Sequence, residues 1–180
     1  RPGTQVIRPA TAADAPRIAA IYNHHVRETV VTFEEQPVAD TEMARRIVET
    51  IAAYPWLVSE ADGTIAGYAY ASSWKRRSAY RLAAESTIYM AESFIGRGLA
   101  SELYRALITG MRSRGLHCAI GGIALPNPAS IALHEKLGFK PIGQFREVGW
   151  KFGKWVDVGY WELILSDALP DALQKAEIAP

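Results

Sequence analysis

The sequence contains a single cysteine, Cys118, and no long apolar run. One cysteine cannot form a disulfide within the chain, which fits a reducing compartment. No window approaches the roughly 18 consecutive apolar residues that a membrane-spanning helix requires. The first five residues lack the apolar core of a secretory signal. These absences disfavour a secreted or membrane protein, and we expect a cytoplasmic protein with no membrane partner.

An excess of charge of one sign is also missing. The chain has 20 Lys and Arg against 19 Asp and Glu, so its net charge is +1. This balance predicts no nucleic-acid partner. The pair His24-His25 has no second pair of ligands at metal-binding spacing, so we expect no metal and place both residues in a polar loop. With 49% apolar residues, the chain can bury a core without metal or disulfide.

Hydrophobic periodicity predicts one α/β domain over residues 1–165 and a loosely held tail over 166–180. The predicted order is β, α, α, a β-hairpin turning at Asp62-Gly63, then β, α, β, α, β, β. The clearest helix begins at Leu99 and has an apolar residue every three or four positions. This order predicts a mixed sheet with helices on both faces.

A glycine turn, Gly96-Arg97-Gly98, separates a predicted strand from that helix. Helix N-termini carry unpaired N–H groups and a positive dipole end, and small residues let an anion approach them. Arg97 can add a charged contact. The turn lacks the Gly-Lys-Ser/Thr of a P-loop and the third glycine of a dinucleotide fold. A phosphate cradle and an ordinary tight turn therefore remain alternatives.

The residues 96–100 resemble the acyl-CoA signature of the GNAT superfamily of N-acetyltransferases. Asn127, Ser130 and the run 134–139 resemble its second signature, one predicted strand later. The resemblance extends over residues 6–165. It implies a single-domain GNAT fold with a mixed, mostly antiparallel central sheet and helices on both faces, and acetyl-CoA as the co-substrate.

Further stretches are similar to the phosphinothricin and methionine sulfoximine acetyltransferases of that superfamily. They are 32–34, 74–75, 84–90, 152–155 and 157–159. This likeness implies acetyl transfer to the α-amine of a glutamate-like amino acid. It also implies a homodimer in which the partner chain helps to close the site.

The resemblance assigns the acyl-CoA site mainly to backbone groups of a splayed central strand and of the glycine turn, with an amide contact from Asn127 and a phosphate contact from Lys136. From the residues alone, core strand, turn and solvated helix remain alternatives. The expected CoA-binding residues are Ile88, Tyr89, Met90, Gly96, Arg97, Gly98, Leu99, Ala100, Ser101, Asn127 and Lys136.

Glu85, where the predicted central strand begins, is the candidate general base. An α-amine is mostly protonated at neutral pH and must lose a proton before it attacks a thioester. A charged carboxylate at the start of an apolar strand is costly to bury, which indicates a functional role. Binding of the substrate ammonium, without proton transfer, is the alternative to the role of general base. His134 is the candidate acid for the leaving thiolate, with packing or CoA contact as the alternative.

The segment 74–81 holds four cations and two aromatic rings. Arginine suits bidentate binding of carboxylate or phosphinate, and the resemblance assigns the segment to the anionic groups of the substrate. The expected substrate-binding residues are Phe33, Trp74, Lys75, Arg76, Arg77, Tyr80, Arg81, Glu85, Ser86 and Thr87. A solvated loop, a nucleic-acid surface, an acetyltransferase for another small amine or a protein amine, and a non-catalytic acyl-CoA sensor remain alternatives.

Overall fold

The computed structural model describes residues 4–166, which form a seven-stranded sheet and four α-helices. The tail expected over 166–180 lies outside the described residues, apart from Ser166. The strands are β1 (Val6–Pro9), β2 (Trp56–Ala61), β3 (Thr64–Ser73), β4 (Ala83–Met90), β5 (Cys118–Leu125), β6 (Lys140–Lys151) and β7 (Lys154–Ile164). The helices are α1 (Ala15–Glu28), α2 (Asp40–Ile51), α3 (Leu99–Ser113) and α4 (Pro128–Lys136).

The sheet is mixed and mostly antiparallel, as expected. Its strand order is β1-β2-β3-β4-β5-β7-β6, and within it β4 and β5 form the parallel pair. The β2–β3 hairpin turns at Asp62 and Gly63, whose φ angles are 52° and 75°. Positive φ at both central positions is what a type I′ turn requires, so the expected hairpin is confirmed.

Alternate side chains of the sheet enter two separate cores. Val58 and Tyr68 pack with α1 and α2 on one face, while Leu57 and Ala69 pack with α3 on the other. Successive strand residues point to opposite faces, so each strand serves both cores. The helices therefore lie on both faces of the sheet, in agreement with the predicted order.

Helix α1 contains five residues, 24–28, beyond the point where the sequence predicts a break. The loop expected at His24 is wrong: His24 and His25 lie in the last turns of α1, which ends at Glu28. Val26 continues the buried stripe of Ile18 and Tyr22 at helical spacing. Because Val26 packs in the core, the polar residues that precede it in the chain are helical as well.

Among residues 4–166, no helix has the length and apolar character needed to cross a bilayer. The same residues contain no group of three side chains placed to hold a metal ion.

Candidate active site

The sheet opens between β4 and β5. Only residues 83–85 of β4 pair with β5, at residues 118–120, although β4 continues to Met90 and β5 to Leu125. Beyond Glu85, β4 keeps its pairing with β3 and β5 keeps its pairing with β7. The facing edges of the two strands therefore diverge into a wedge with its vertex at Glu85.

Every second residue of β4 turns its backbone groups into this wedge. The Ala91 N–H donates to the Ala66 carbonyl at 2.8 Å, and the β3–β4 register runs from there without a shift. Because antiparallel pairs alternate between hydrogen-bonded and non-bonded, the N–H and C=O groups of Ile88 and Met90 face away from β3. The backbone of Tyr89 belongs to the β3 ladder instead, contrary to the expectation that it lines the acyl arm.

The glycine turn lies beyond the open end of β4 and leads into α3. Gly96 and Gly98 both have φ of 80°, and a Cβ built at either position would meet no atom within 4 Å. The surface of the turn is therefore open. No described side chain caps the N-terminus of α3, so the N–H groups of Leu99, Ala100 and Ser101 are available to an anion. This arrangement fits the pyrophosphate of an acyl-CoA.

Two cations flank the turn in different ways. The guanidinium of Arg97 pairs with Asp62 at 2.8 Å and lies 4.8 Å from the centroid of the Phe94 ring. It therefore braces the turn against the β2–β3 hairpin, a contact that the sequence did not predict. The ammonium of Lys136 lies 3.5 Å from the hydroxyl of Ser101. The C-terminus of α4 thus brings a positive charge to the N-terminus of α3.

Glu85 lies half-buried on the face that carries α1 and α2, together with Tyr89. Burial raises the pKa of the Glu85 carboxyl, and the positive charge of Lys75 partly opposes that rise. The pKa of Tyr160 is raised by burial and also by the charge of Glu85. The carboxyl group is therefore partly desolvated and lies within electrostatic range of the Lys75 ammonium and the Tyr160 hydroxyl. A carboxylate with a raised pKa is a better proton acceptor.

A buried chain of hydrogen bonds lies on the opposite face of β4. The Ser86 and Tyr104 hydroxyls are 2.7 Å apart, and the Tyr104 hydroxyl is 3.0 Å from His134 Nε2. His134 Nδ1 lies 2.7 Å from the Ser130 carbonyl. A carbonyl only accepts, so Nδ1 carries the proton and Nε2 accepts from Tyr104. Burial lowers the pKa of His134, the bond to Ser130 opposing this, so the ring is neutral at pH 7.

These hydrogen bonds place Ser86 and His134 away from Glu85, although the sequence predicts a role in substrate binding or catalysis for all three residues. Ser86 is buried, and its side chain points away from the face of Glu85; its expected contact with substrate does not fit this placement. His134 lies against β5, where a Cβ at Gly121 would be 2.6 Å from Nε2. Both of its ring nitrogens have partners within the protein. The two candidate catalytic residues thus lie on opposite faces of the sheet, and the Tyr104 hydroxyl of α3 connects to one of them.

Asn127 is the N-cap of α4. Its side-chain oxygen accepts from the Ser130 N–H at 3.1 Å, so that oxygen stabilises the first turn of the helix.

The segment 74–81 divides into two parts. The Trp74 ring contacts the Tyr160 ring edge-on at 5.6 Å, and the Lys75 ammonium lies 4.8 Å from the Trp74 ring centroid. This first part lies close to Glu85. The remaining predicted substrate residues of the segment are exposed: Arg76, Arg77, Tyr80 and Arg81.

The loop between α1 and α2 is fixed by a buried contact on one side of Phe33 and a partly buried ion pair on the other. The Thr32 hydroxyl is 2.8 Å from the Tyr22 hydroxyl, and Glu34 pairs with Arg46 at 2.8 Å. The ammonium of Lys151, which is 1% exposed, donates to the Thr32 carbonyl at 2.8 Å. Nothing in the local sequence around Lys151 indicates that it is buried.

Phe33 itself is 41% exposed and lies against β6. A Cβ at Gly149 would be 2.4 Å from its ring, so the ring occupies the space that a side chain would fill. Thr87 is half-buried on β4, on the same face as Glu85 because it is two residues further along the strand. Glu85 and Thr87 are thus predicted substrate-binding residues that lie half-buried on one face of β4, while Phe33 is exposed.

A diverging parallel strand pair beside a glycine turn at a helix N-terminus offers open backbone groups and an anion site in one continuous edge, as an acyl-CoA-dependent transferase requires. The sequence profile of the acetyltransferase (GNAT) domain matches residues 7–159. The chain is 41% identical to the phosphinothricin N-acetyltransferase of Streptomyces viridochromogenes, over 87% of this chain and 85% of that protein. It is 38% identical to the L-methionine sulfoximine/L-methionine sulfone acetyltransferase of Salmonella typhimurium, over 92% of this chain and 98% of that one.

Among solved structures, an acetyltransferase of Salmonella typhimurium with its cofactor acetyl-CoA superposes with a TM-score of 0.90 at 36% identity, covering 94% of this chain and 99% of the other. The chain belongs to the GNAT family of N-acetyltransferases.

Proposed function

We propose that the protein transfers acetyl from acetyl-CoA to the α-amine of a glutamate-like amino acid, of the phosphinothricin, methionine sulfoximine or methionine sulfone type. The relatives named for these substrates support the substrate class. The observation that carries the proposal is the position of Glu85 at the vertex of the wedge. Glu85 lies there between the open backbone edge of β4 and the side where the amine acceptor would bind. We call this second side, which includes Trp74, Lys75 and Tyr160, the acceptor side.

Acetyl-CoA is the co-substrate, and it supplies an acetyl thioester. The N–H groups of the glycine turn and of the first turn of α3 would hold its pyrophosphate. The wedge-facing backbone groups of Ile88 and Met90 would hold its pantetheine arm, because they offer donors and acceptors that no neighbouring strand uses.

In the proposed reaction both substrates are bound together and the amine attacks directly. Glu85 takes a proton from the substrate ammonium, directly or through water, and the free amine attacks the thioester carbon. The C–S bond breaks as the amide forms, and the thiolate of CoA takes up a proton. His134 is the proposed source of that proton, through the Tyr104 hydroxyl. Because Nε2 accepts from Tyr104 in the resting site, the ring must first take up a proton there from solvent, and the second proton that the amine nitrogen releases balances that uptake.

The acceptor side supports an anionic amino acid as substrate. Lys75 contributes positive charge at Glu85 itself, and the exposed arginines of the segment 74–81 lie in the same connection between β3 and β4. Paired with a general base for the amine, these cations are suited to the carboxylate and the phosphinate or sulfoximine end of the substrate.

We also propose a homodimer. The β6–β7 hairpin exposes large apolar side chains, with Phe145, Trp150 and Trp155 each more than half exposed. Large apolar side chains exposed on one hairpin favour an interaction surface there. The cytoplasmic location and the absence of nucleic-acid or membrane partners stay predictions from the sequence.

The proposal is tested by measuring thiol release from acetyl-CoA with a panel of free amino acids that includes phosphinothricin, methionine sulfoximine and methionine sulfone. A lysine peptide and a simple alkylamine are the matched acceptors. We expect turnover on the tetrahedral amino-acid analogues and little on the peptide. Preferred turnover on the peptide would move the function to a protein amine. Binding of acetyl-CoA without turnover on any acceptor would support a sensor instead.

A further inference from the structure

His25 reaches from α1 to the end of β4. Its Nε2 lies 3.0 Å from the carbonyl of Met90. Because a carbonyl only accepts, Nε2 carries the proton and Nδ1 is left as an acceptor. The ring is 9% exposed, and Nδ1 is buried without a hydrogen-bond partner among the described residues. Buried polar atoms nearly always have hydrogen-bond partners. The unpaired Nδ1 of His25 is therefore unusual, and the bond from Nε2 to Met90 is the contact that the ring makes instead.

The bonded carbonyl is one of the groups that face the wedge. It belongs to the peptide between Met90 and Ala91, whose N–H donates in the opposite direction to the Ala66 carbonyl at 2.8 Å. That peptide is therefore held at both of its polar ends. With the Met90 carbonyl engaged by His25, the wedge retains the Met90 N–H and both backbone groups of Ile88.

The surroundings of the ring favour its neutral form. Burial lowers the pKa of His25, and the bond to Met90 opposes this. The ring packs against the Tyr89 ring at 5.4 Å, and the titratable groups that act on it are His24 of the same helix, Glu92 after β4 and Lys151 of β6. Protonation would place an N–H at Nδ1 where the described residues offer no acceptor, which is costly in a buried position.

We propose that His25 is a positioning residue of the acetyl-CoA site, whose Nε2–H fixes the last peptide of β4 so that the Met90 N–H and the Ile88 backbone face the acyl arm. The inference rests on the proposed placement of the pantetheine arm in the wedge. It adds that a side chain on the far side of the sheet determines which backbone groups the wedge offers. Acetyl-CoA affinity then depends on a hydrogen-bond donor at this position, not on an aromatic ring.

The test compares two amide substitutions of different length. In His25→Gln the amide nitrogen reaches about as far as Nε2, whereas in His25→Asn it reaches only as far as Nδ1. The dissociation constant of CoA is measured by calorimetry, which needs no turnover. We expect Asn to weaken binding about five- to tenfold, as the loss of one hydrogen bond would, and Gln to stay within about twofold of the parent. His24→Asn, one residue away and half-exposed, is the control.

Equal affinity in the parent, Gln and Asn proteins would overturn the proposal, and so would equal weakening in Gln and Asn. If the Asn protein does not fold, His25→Phe replaces it, because phenylalanine keeps an aromatic ring of similar size but has no donor. CoA should then bind more weakly to the Phe protein than to the Gln protein. Equal affinity in the Phe and Gln proteins would overturn the role. Turnover on the amino-acid panel is scored separately, so failure of the proposed substrate leaves this test intact.

Discussion

The two sides of the active site are built in different ways. The acyl-CoA side consists of the end of β4, the glycine turn and the first turn of α3, which follow one another within residues 88–101. The acceptor side brings Thr32 against Lys151, which are 119 residues apart, and places Trp74 against Tyr160. In the proposed function the first side would bind with backbone groups of a continuous segment, and the second would bind with side chains that only the folded chain assembles.

This difference has an energetic consequence. Backbone donors at a strand edge and a helix N-terminus are held by secondary structure, so few single side chains can remove them. The acceptor side depends on a buried ammonium whose pKa is lowered by burial, with the charge of Glu35 opposing. Substitutions should therefore change amine recognition more readily than acetyl-CoA binding, except where the glycines or the peptide held by His25 are altered.

The largest expected effect separates chemistry from binding. Glu85→Gln should lower kcat by about 10²- to 10⁴-fold, the usual contribution of a general base, while the dissociation constant of CoA is unchanged. In the parent, kcat/KM should fall as the pH drops through the raised pKa of Glu85, because the protonated carboxyl cannot accept a proton. Rates across the pH range with the Gln and Asp variants check this, and a Gln variant with parental rates would remove Glu85 as the base.

The raised pKa of Glu85 also predicts the direction in which Glu85→Gln changes the free energy of unfolding. Folding raises the pKa of Glu85, so its ionisation opposes folding once the pH exceeds the unfolded value. Glu85→Gln should therefore be more stable than the parent at neutral pH, and this gain should disappear below about pH 4. Urea unfolding at the two pH values measures it. An equal difference at both would show that packing, rather than charge, is responsible.

The next effect tests the acyl-CoA side. Gly98→Val places a β-branched residue at φ of 80°, where strain costs about 1–3 kcal/mol. We expect the KM for acetyl-CoA to rise about tenfold or more, because relief of the strain moves the N–H groups of the turn. The control is Gly115→Val, with φ of 74° at the other end of α3. It should lower stability and leave this KM unchanged; a similar rise in both would assign the effect to the helix as a whole.

A smaller effect tests the acceptor side. Lys151→Met retains the length of the side chain but leaves the Thr32 carbonyl without its buried donor, a loss worth about 1–3 kcal/mol. We expect the KM for the amine to rise about fivefold, since the loop that carries Phe33 loosens, with CoA affinity unchanged. Lys154→Met, at an exposed site on the same hairpin, is the control. An equal loss of amine and CoA affinity would contradict the division into two sides.

The smallest effect concerns the exposed cations. Arg77→Ala should raise the KM for phosphinothricin by about twofold to threefold, because exposed ion pairs contribute about 0–1 kcal/mol. It should leave the KM for a neutral amino acid unchanged, and added salt should abolish the difference. Steady-state rates on both acceptors at two salt concentrations measure this. If the KM for each acceptor is the same in the variant as in the parent, Arg77 has no part in recognition.

Much of the acyl-CoA side could be predicted from the sequence. Gly96 and Gly98 predicted a tight turn at a helix N-terminus, and the turn is there, with φ of 80° at both glycines. Strand alternation could also have separated Glu85 from Ser86, since successive strand residues point to opposite faces. The assignment of both to the substrate overlooked this rule. The length of α1 was underestimated because His24 and His25 were interpreted by polarity, although Val26 extends the buried stripe.

By itself, the sequence determined the order of the elements, the hairpin at Asp62-Gly63 and the glycine turn, because each follows from periodicity or from φ requirements within a few neighbouring residues. The tertiary structure alone decided where β4 and β5 separate, that Lys151 holds Thr32, and that His25 holds the end of β4. Those features are contacts between segments distant in the chain, and local propensity carries no information about which distant partner a side chain will meet.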